Sequence, residues 1–140
     1  MSVVITPTAP DTQIYIDFRQ SCGWGDTDKT LAKLAIKNSL LWVRASLEGE
    51  TIGFVRLIGD GAISFYIQDL IVSEAHRGKG VGTKLMDELF VCLKDVVPKG
   101  ATIGLMAVAD KEKFYESYGF QTRPAGRFGA GMTLTYGDEG

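Results

Sequence analysis

One junction constrains this fold more than any other feature of the sequence. Between Ile63 and Val97 an apolar run, a basic glycine-rich turn and a helix with an apolar stripe follow directly on one another. Ile63 to Val72 is β-branched and aromatic, and reads as a buried strand. Beyond the turn, Val81, Leu85, Leu89, Leu93 and Val97 recur at every fourth position, with Met86, Phe90 and Val96 widening the stripe. That spacing predicts an amphipathic helix over 81–97, laid on a sheet. The turn itself reads Glu74-Ala75-His76-Arg77-Gly78-Lys79-Gly80-Val81-Gly82-Thr83. First-turn amides and the positive end of the helix dipole favour phosphate there. Gly80 and Gly82 let a ligand approach bare backbone, and Arg77 and Lys79 add charge. The junction is an anion cradle.

Two phosphate motifs fail on spacing. A G-x-G-x-x-G fingerprint would need glycine where Thr83 and Leu85 stand, and a Walker loop would need Lys-Ser/Thr where Gly82 is followed by Thr83-Lys84. What is present is R-x-x-G-x-G, from Arg77 to Gly82.

The rest of the 140-residue chain supports a single domain over 1–140. Net charge is −2 and no basic face emerges, so nucleic acid is not an expected partner. Cys22 and Cys92 lack metal-ligand spacing and His76 is the only histidine, so no metal is expected and the thiols are read as reduced. No stretch approaches membrane-spanning length and the first residues lack a signal peptide's charged flank, so a cytoplasmic protein without membrane contact is expected.

In chain order, Val3–Thr6 suggests a first strand. Asp11 or Thr12 caps a helix to about Cys22 bearing Ile14, Tyr15 and Phe18. Asp28 caps a second helix carrying Leu31, Leu34 and Ala35. Strands follow at 40–47, 51–58 and 63–72 with turns at Glu48-Gly49-Glu50 and Gly59-Asp60-Gly61, an antiparallel meander. After the long helix, Ala101–Val108 is expected parallel to the preceding strand. Asp110 is expected to cap a short helix stopped at Gly119. Further strands are expected from Phe120 and over Met132–Tyr136, with 137–140 fraying. The order predicts an α/β domain with a mixed sheet.

The Phe114-Tyr115-Glu116-Ser117-Tyr118-Gly119-Phe120 stretch, downstream of R-x-x-G-x-G with one strand between, resembles the second signature of the GNAT superfamily of N-acetyltransferases. The resemblance covers about residues 11–136. It implies the GNAT acyl-CoA N-acyltransferase fold: a mixed, mostly antiparallel sheet with splayed strands, flanked by about four helices. It further implies acetyl-CoA as co-substrate. Leu70, Ile71 and Val72 would pair with the pantetheine arm, and Arg77 to Thr83 (Gly78, Lys79, Gly80, Val81, Gly82 included) would hold the pyrophosphate. Phe114 would also touch the cofactor. Many relatives carry an Asn before the Phe-Tyr helix, where this chain has Val108-Ala109-Asp110-Lys111.

Acetyl transfer to an amine needs loss of a proton from the ammonium, stabilisation of an oxyanion and protonation of the leaving thiolate. Tyr115 matches the family tyrosine near the sulfur, and a phenol with a pKa of about 10 is protonated at neutral pH. Asp69, interrupting an apolar strand, is the candidate base; it reads alternatively as a structural aspartate bonded to loop amides, with a water chain or no side chain serving as base. Val72 N–H is the candidate oxyanion donor. Alternation puts Asp69 and Gln68 on opposite faces. The segment Gln68–Val72 resembles the corresponding strand of glucosamine-6-phosphate N-acetyltransferases. Trp24, Tyr66 and Arg56, with the loop from Arg123 to Met132, are candidate acceptor-binding residues, and Trp24 reads equally as a hydrophobic plug. A small-molecule primary amine is the expected partner. A protein N-terminus or lysine is the second reading, and a non-catalytic acyl-CoA-binding module the third. A homodimer agrees with the resemblance.

Overall fold

A computed structural model describes residues 2–137. The chain forms two compact units, Met1–Leu105 and Met106–Gly140. In the first, β1 (Val4–Thr6), β2 (Leu41–Leu47), β3 (Glu50–Gly59), β4 (Ser64–Val72) and β5 (Thr102–Gly104) lie side by side in sequence order. Every pairing is antiparallel except β4 with β5, which is parallel. The helices are α1 (Thr12–Ser21), α2 (Lys29–Asn38) and α3 (Val81–Leu93), and α4 (Glu112–Glu116) belongs to the second unit. This is the expected mixed, mostly antiparallel α/β fold.

The local reasons are chemical. Asp28 Oδ2 accepts from Leu31 N at 3.1 Å and starts α2. Glu48 and Gly49, both at positive φ, make the two-residue β2–β3 turn. Asp60 Oδ1 accepts from the amides of Ala62, Ile63 and Ser64 at the β3–β4 turn, which holds its carboxyl below the usual range. Helices α1 and α2 cover one face, where Tyr15, Ile16, Ala32, Trp42, Phe54 and Ile71 form a buried cluster. Helix α3 contributes Val81, Leu85, Met86, Leu89 and Leu93, all buried.

Several expectations change. Helix α3 ends at Leu93, and the Val96 and Val97 amides both turn back onto the Leu93 carbonyl. The strand expected over 101–108 is only Thr102–Gly104. In α2 the buried position is Ala32, while Leu31 and Leu34 are exposed. Asp110 is a left-handed residue (φ 71°), and α4 starts after Lys111 without a side-chain cap. Gly119 does take the left-handed stop (φ 95°). Among the described residues there is no strand after Phe120, only an Ala125–Phe128 bridge. Met132, Leu134 and Tyr136 alternate like a strand, yet they are 89%, 85% and 96% exposed. Alternation without a neighbouring backbone to bond makes no ladder. Residues 138–140 of the expected frayed tail lie outside the described residues. No helix among them is long and apolar enough to cross a membrane.

Gly53 sits where β3 passes β4: an added Cβ would lie 2.9 Å from the Ile71 carbonyl oxygen and 3.2 Å from Leu85 Cδ1. Because the first obstacle is backbone, Gly53→Ala is expected to destabilise the protein by about 1–3 kcal/mol, read by urea denaturation. An unchanged midpoint would contradict this packing.

Candidate active site

Strand β4 carries the site because its ladder is irregular. Phe54 pairs with Ile71 and Arg56 with Gln68, so Val55 faces two residues, Asp69 and Leu70. Asp69 absorbs the extra length at φ 57°, a left-handed conformation that aspartate tolerates better than most residues. The bulge breaks strict alternation. Gln68, opposite Arg56, reaches Asp69 Oδ1 with its Nε2 at 3.3 Å, so the expected placement of Gln68 and Asp69 on opposite faces is corrected.

The Asp69 side chain is fully buried. Its Oδ2 accepts from Tyr15 Oη at 2.5 Å and Arg56 Nε at 2.8 Å, and its Oδ1 from Arg19 Nη1 at 2.5 Å. Arg56 also donates from Nη1 to Ser39 Oγ at 3.2 Å. An unpaired carboxylate at this depth would cost far more than any one contact returns, and these donors are what make it tolerable. Tyr15 Oη is pushed up to about 12, first by burial and then by the bond to Asp69 and its charge, with Arg56 and Arg19 pulling the other way. Arg56, expected to line the acceptor site, is committed to this network. Trp24 is no plug: it is 40% exposed and lies 5.4 Å from the Arg19 guanidinium.

Tyr15 and Arg19 have no counterpart among the site residues expected from sequence. The available signal was their four-residue spacing on one face of α1, opposite a strand aspartate in need of donors.

Beyond Tyr66 the named pairing of β4 with β5 stops, since it covers only Ser64–Tyr66 against Thr102–Gly104. Ser73 N donates to Ile52 O at 2.8 Å, so the β3 side is taken at Ser73. By the two-residue period, the Val72 peptide groups point to the opposite edge. Arg77 Nε meets the Val72 carbonyl there at 3.0 Å, fastening the loop to the strand end. Ser73 Oγ and His76 Nδ1 lie 2.6 Å apart within the Glu74–His76 turn.

Gly78 and Gly80 are left-handed at φ 75° and 81°, and an added Cβ at Gly78, Gly80 or Gly82 would meet nothing within 4 Å. Gly80 is the N-cap of α3 and has no side-chain cap; the first helical bond is Lys84 N to Gly80 O. The Val81 and Gly82 amides precede it. Open space over bare amides at a helix start, with Lys79 exposed beside it, fits a diphosphate. Tyr66 lies at the last paired position of β4, its Cδ2 3.6 Å from where a Gly104 Cβ would stand. Among the described residues no group of His, Cys, Asp or Glu is placed to hold a metal ion.

In the second unit, Tyr115 packs edge-on against Phe114 (centroids 5.1 Å apart) and Phe120 (6.3 Å), and burial pushes its phenol above the ordinary value. Arg123 and Arg127 both stack on Phe128 at 5.1 Å, and Arg123 Nε donates to Gly129 O.

A bulged strand whose named pairing with β5 stops at Tyr66 runs on into a glycine loop at a helix N-terminus. The sequence model of the acetyltransferase (GNAT) domain family matches residues 37–122. This chain belongs to the GNAT acetyltransferase family. It is 27% identical over 110 residues to an uncharacterized N-acetyltransferase of Porphyra purpurea, and that match covers 76% of this chain. The chain spans 62% of the length of that curated relative. Among solved structures it resembles a probable acetyltransferase of unknown function from meticillin-resistant Staphylococcus aureus. There the TM-score is 0.86 and the identity 26%, covering 96% of this chain and 100% of the other. It also resembles a GNAT family acetyltransferase of Streptococcus pneumoniae, with a TM-score of 0.75, 25% identity, and 98% and 100% coverage.

Two substitutions test the Asp69 network. Asp69→Asn keeps a side chain that tolerates the left-handed backbone but removes the charge, and should cost about 3–5 kcal/mol by denaturation, since two guanidiniums lose their counter-ion. Tyr15 gives a pH signature. A folded pKa raised from about 10 to about 12 means its contribution is complete below the lower value and is lost as pH climbs through the upper one. Denaturation midpoints should fall over that window in the native protein and fall less in Tyr15→Phe. Parallel profiles would contradict the assignment.

Proposed function

We propose that this protein moves the acetyl group of acetyl-CoA directly to a primary amine of a small molecule within a ternary complex. The observation that carries the reading is the Val72 amide turned to the open edge of β4, one short loop before the glycine cradle of α3. Family membership supports it. In this reading the amides over residues 78–83 and Lys79 take the diphosphate. The pantetheine arm lies along Leu70–Val72 as an added strand, and Val72 N–H donates to the oxygen that gains charge as the amine attacks. Tyr115 Oη gives its proton to the departing sulfur, the role that its place in the Phe-Tyr motif suggests.

Asp69 enters as a positioning residue. Both its oxygens already accept bonds and none of its surface is open, so it shapes the bulge that aims Val72 rather than taking a proton from the amine. The amine proton leaves through water.

Gly82→Ala separates ligand binding from folding. No neighbour obstructs the new methyl and the position lies in the first turn of α3, so stability should hold or rise by up to about 1 kcal/mol. Acetyl-CoA affinity by calorimetry should fall by about tenfold or more, one hydrogen-bonded contact's worth. Equal affinity would remove the diphosphate from this loop. For the chemistry, Tyr115→Phe should lower kcat for thiol release by about 100-fold or more with acetyl-CoA KM unchanged. Full activity would remove the phenol from the proton path.

A further inference from the structure

The Asp69 cluster is not electrically balanced. Arg19 and Arg56 face a single carboxylate, and no other salt bridge to either arginine occurs among the described residues. One positive charge is left over, on groups only 21% and 12% exposed. Of the guanidinium nitrogens of Arg19, Nη1 bonds Asp69 and the buried Nε has no hydrogen-bond partner among the described residues. Arg19 Cζ lies 5.8 Å from the centre of the Tyr15 ring and 5.4 Å from that of the Trp24 ring. A cation so fixed, and left short of an anion in poorly solvated surroundings, is prepared to receive one.

We propose that Arg19, backed by Arg56 and roofed by Trp24, is a carboxylate-recognition subsite, and that the acceptor amine is an amino acid. The inference rests on the transferase reading above and names its substrate class. A carboxylate carries the single negative charge that balances the cluster, whereas a phosphate dianion would overshoot it. The guanidinium offers a flat fork that a carboxylate matches. The location agrees as well: Asp69 stands three residues before Val72 on β4, a span of at most about 10 Å given the bulge between them. An acceptor whose carboxylate docks at Arg19 therefore has its amine directed along β4 toward the Val72 edge, which favours a spacer between the two groups.

Calorimetry on the full-length protein saturated with CoA tests this without turnover. The probes are 4-aminobutyrate, 6-aminohexanoate and phenylalanine, each matched with its methyl ester and with the amine lacking the carboxyl group; 3-aminopropylphosphonate is the dianion control. At least one acid should bind roughly tenfold tighter than both its partners and than the phosphonate. Arg19→Gln should abolish that preference. Arg19→Lys, which keeps the charge and the bond to Asp69 but loses the fork, should weaken it. Unchanged CoA affinity in both variants marks them as folded. Absence of binding by every acid, equal binding of acids and amines, or a preference that survives Arg19→Gln each overturns the proposal. Thiol release from acetyl-CoA is read separately. Acids that bind selectively but release no thiol would refute the transferase reading and leave the subsite standing, while transfer to amines regardless of a carboxylate would do the reverse.

Discussion

The Asp69 carboxylate is the constraint around which the first unit is arranged. It is a charge with no exposed surface, and the protein holds it by converging a phenol and a guanidinium from α1 and another guanidinium from β3. Burying such a group does not by itself stabilise a fold, since desolvation offsets most of the attraction. Its contacts tie α1 to the sheet at two points: Tyr15 and Arg19 reach the same carboxylate, while Tyr15 also packs on Trp42 and Phe54 at ring separations of 5.6 and 5.7 Å. Apolar contact alone would tolerate a slide.

That carboxylate lies at the bulge, and the bulge makes β4 serve different neighbours along its length. Near Ser64–Tyr66 the strand is central, with β3 on one side and β5 on the other. Past Asp69 it keeps β3 and presents its second edge, with the Val72 peptide turned outward and the loop beginning one residue later. An irregular strand thus brings a backbone edge beyond the named β5 pairing next to a helix N-terminus, with Arg77 Nε on the Val72 carbonyl between them. Over Gly78, Gly80 and Gly82 the space is open, with nothing within 4 Å of an added Cβ.

Much of this was legible in sequence where the signal was local. The Ile63–Val72 run, the glycine turn and the α3 stripe read directly as strand, loop and helix, and Glu48-Gly49 as a tight turn. Signals that depend on distant partners were not legible. Nothing near Asp69 in the chain says that residues 15, 19 and 56 will surround it, and a bulge appears only once β3 is aligned beside β4. Residue alternation therefore placed Gln68 and Asp69 on opposite faces. The same limit applies to Met132–Tyr136, where alternation suggested a strand that no partner completes among the described residues, and to Leu31 and Leu34, whose helical spacing proved to face outward.

The proposed transfer needs the Val72 amide and the glycine loop to act together on one ligand. The most direct measurement is a crystal structure with acetyl-CoA bound. The diphosphate should lie on the amides of residues 78–83, with the thioester oxygen about 3 Å from Val72 N and Asp69 still bonded to Tyr15, Arg19 and Arg56. A diphosphate seated away from that loop, or a thioester oxygen out of reach of the Val72 amide, would contradict it.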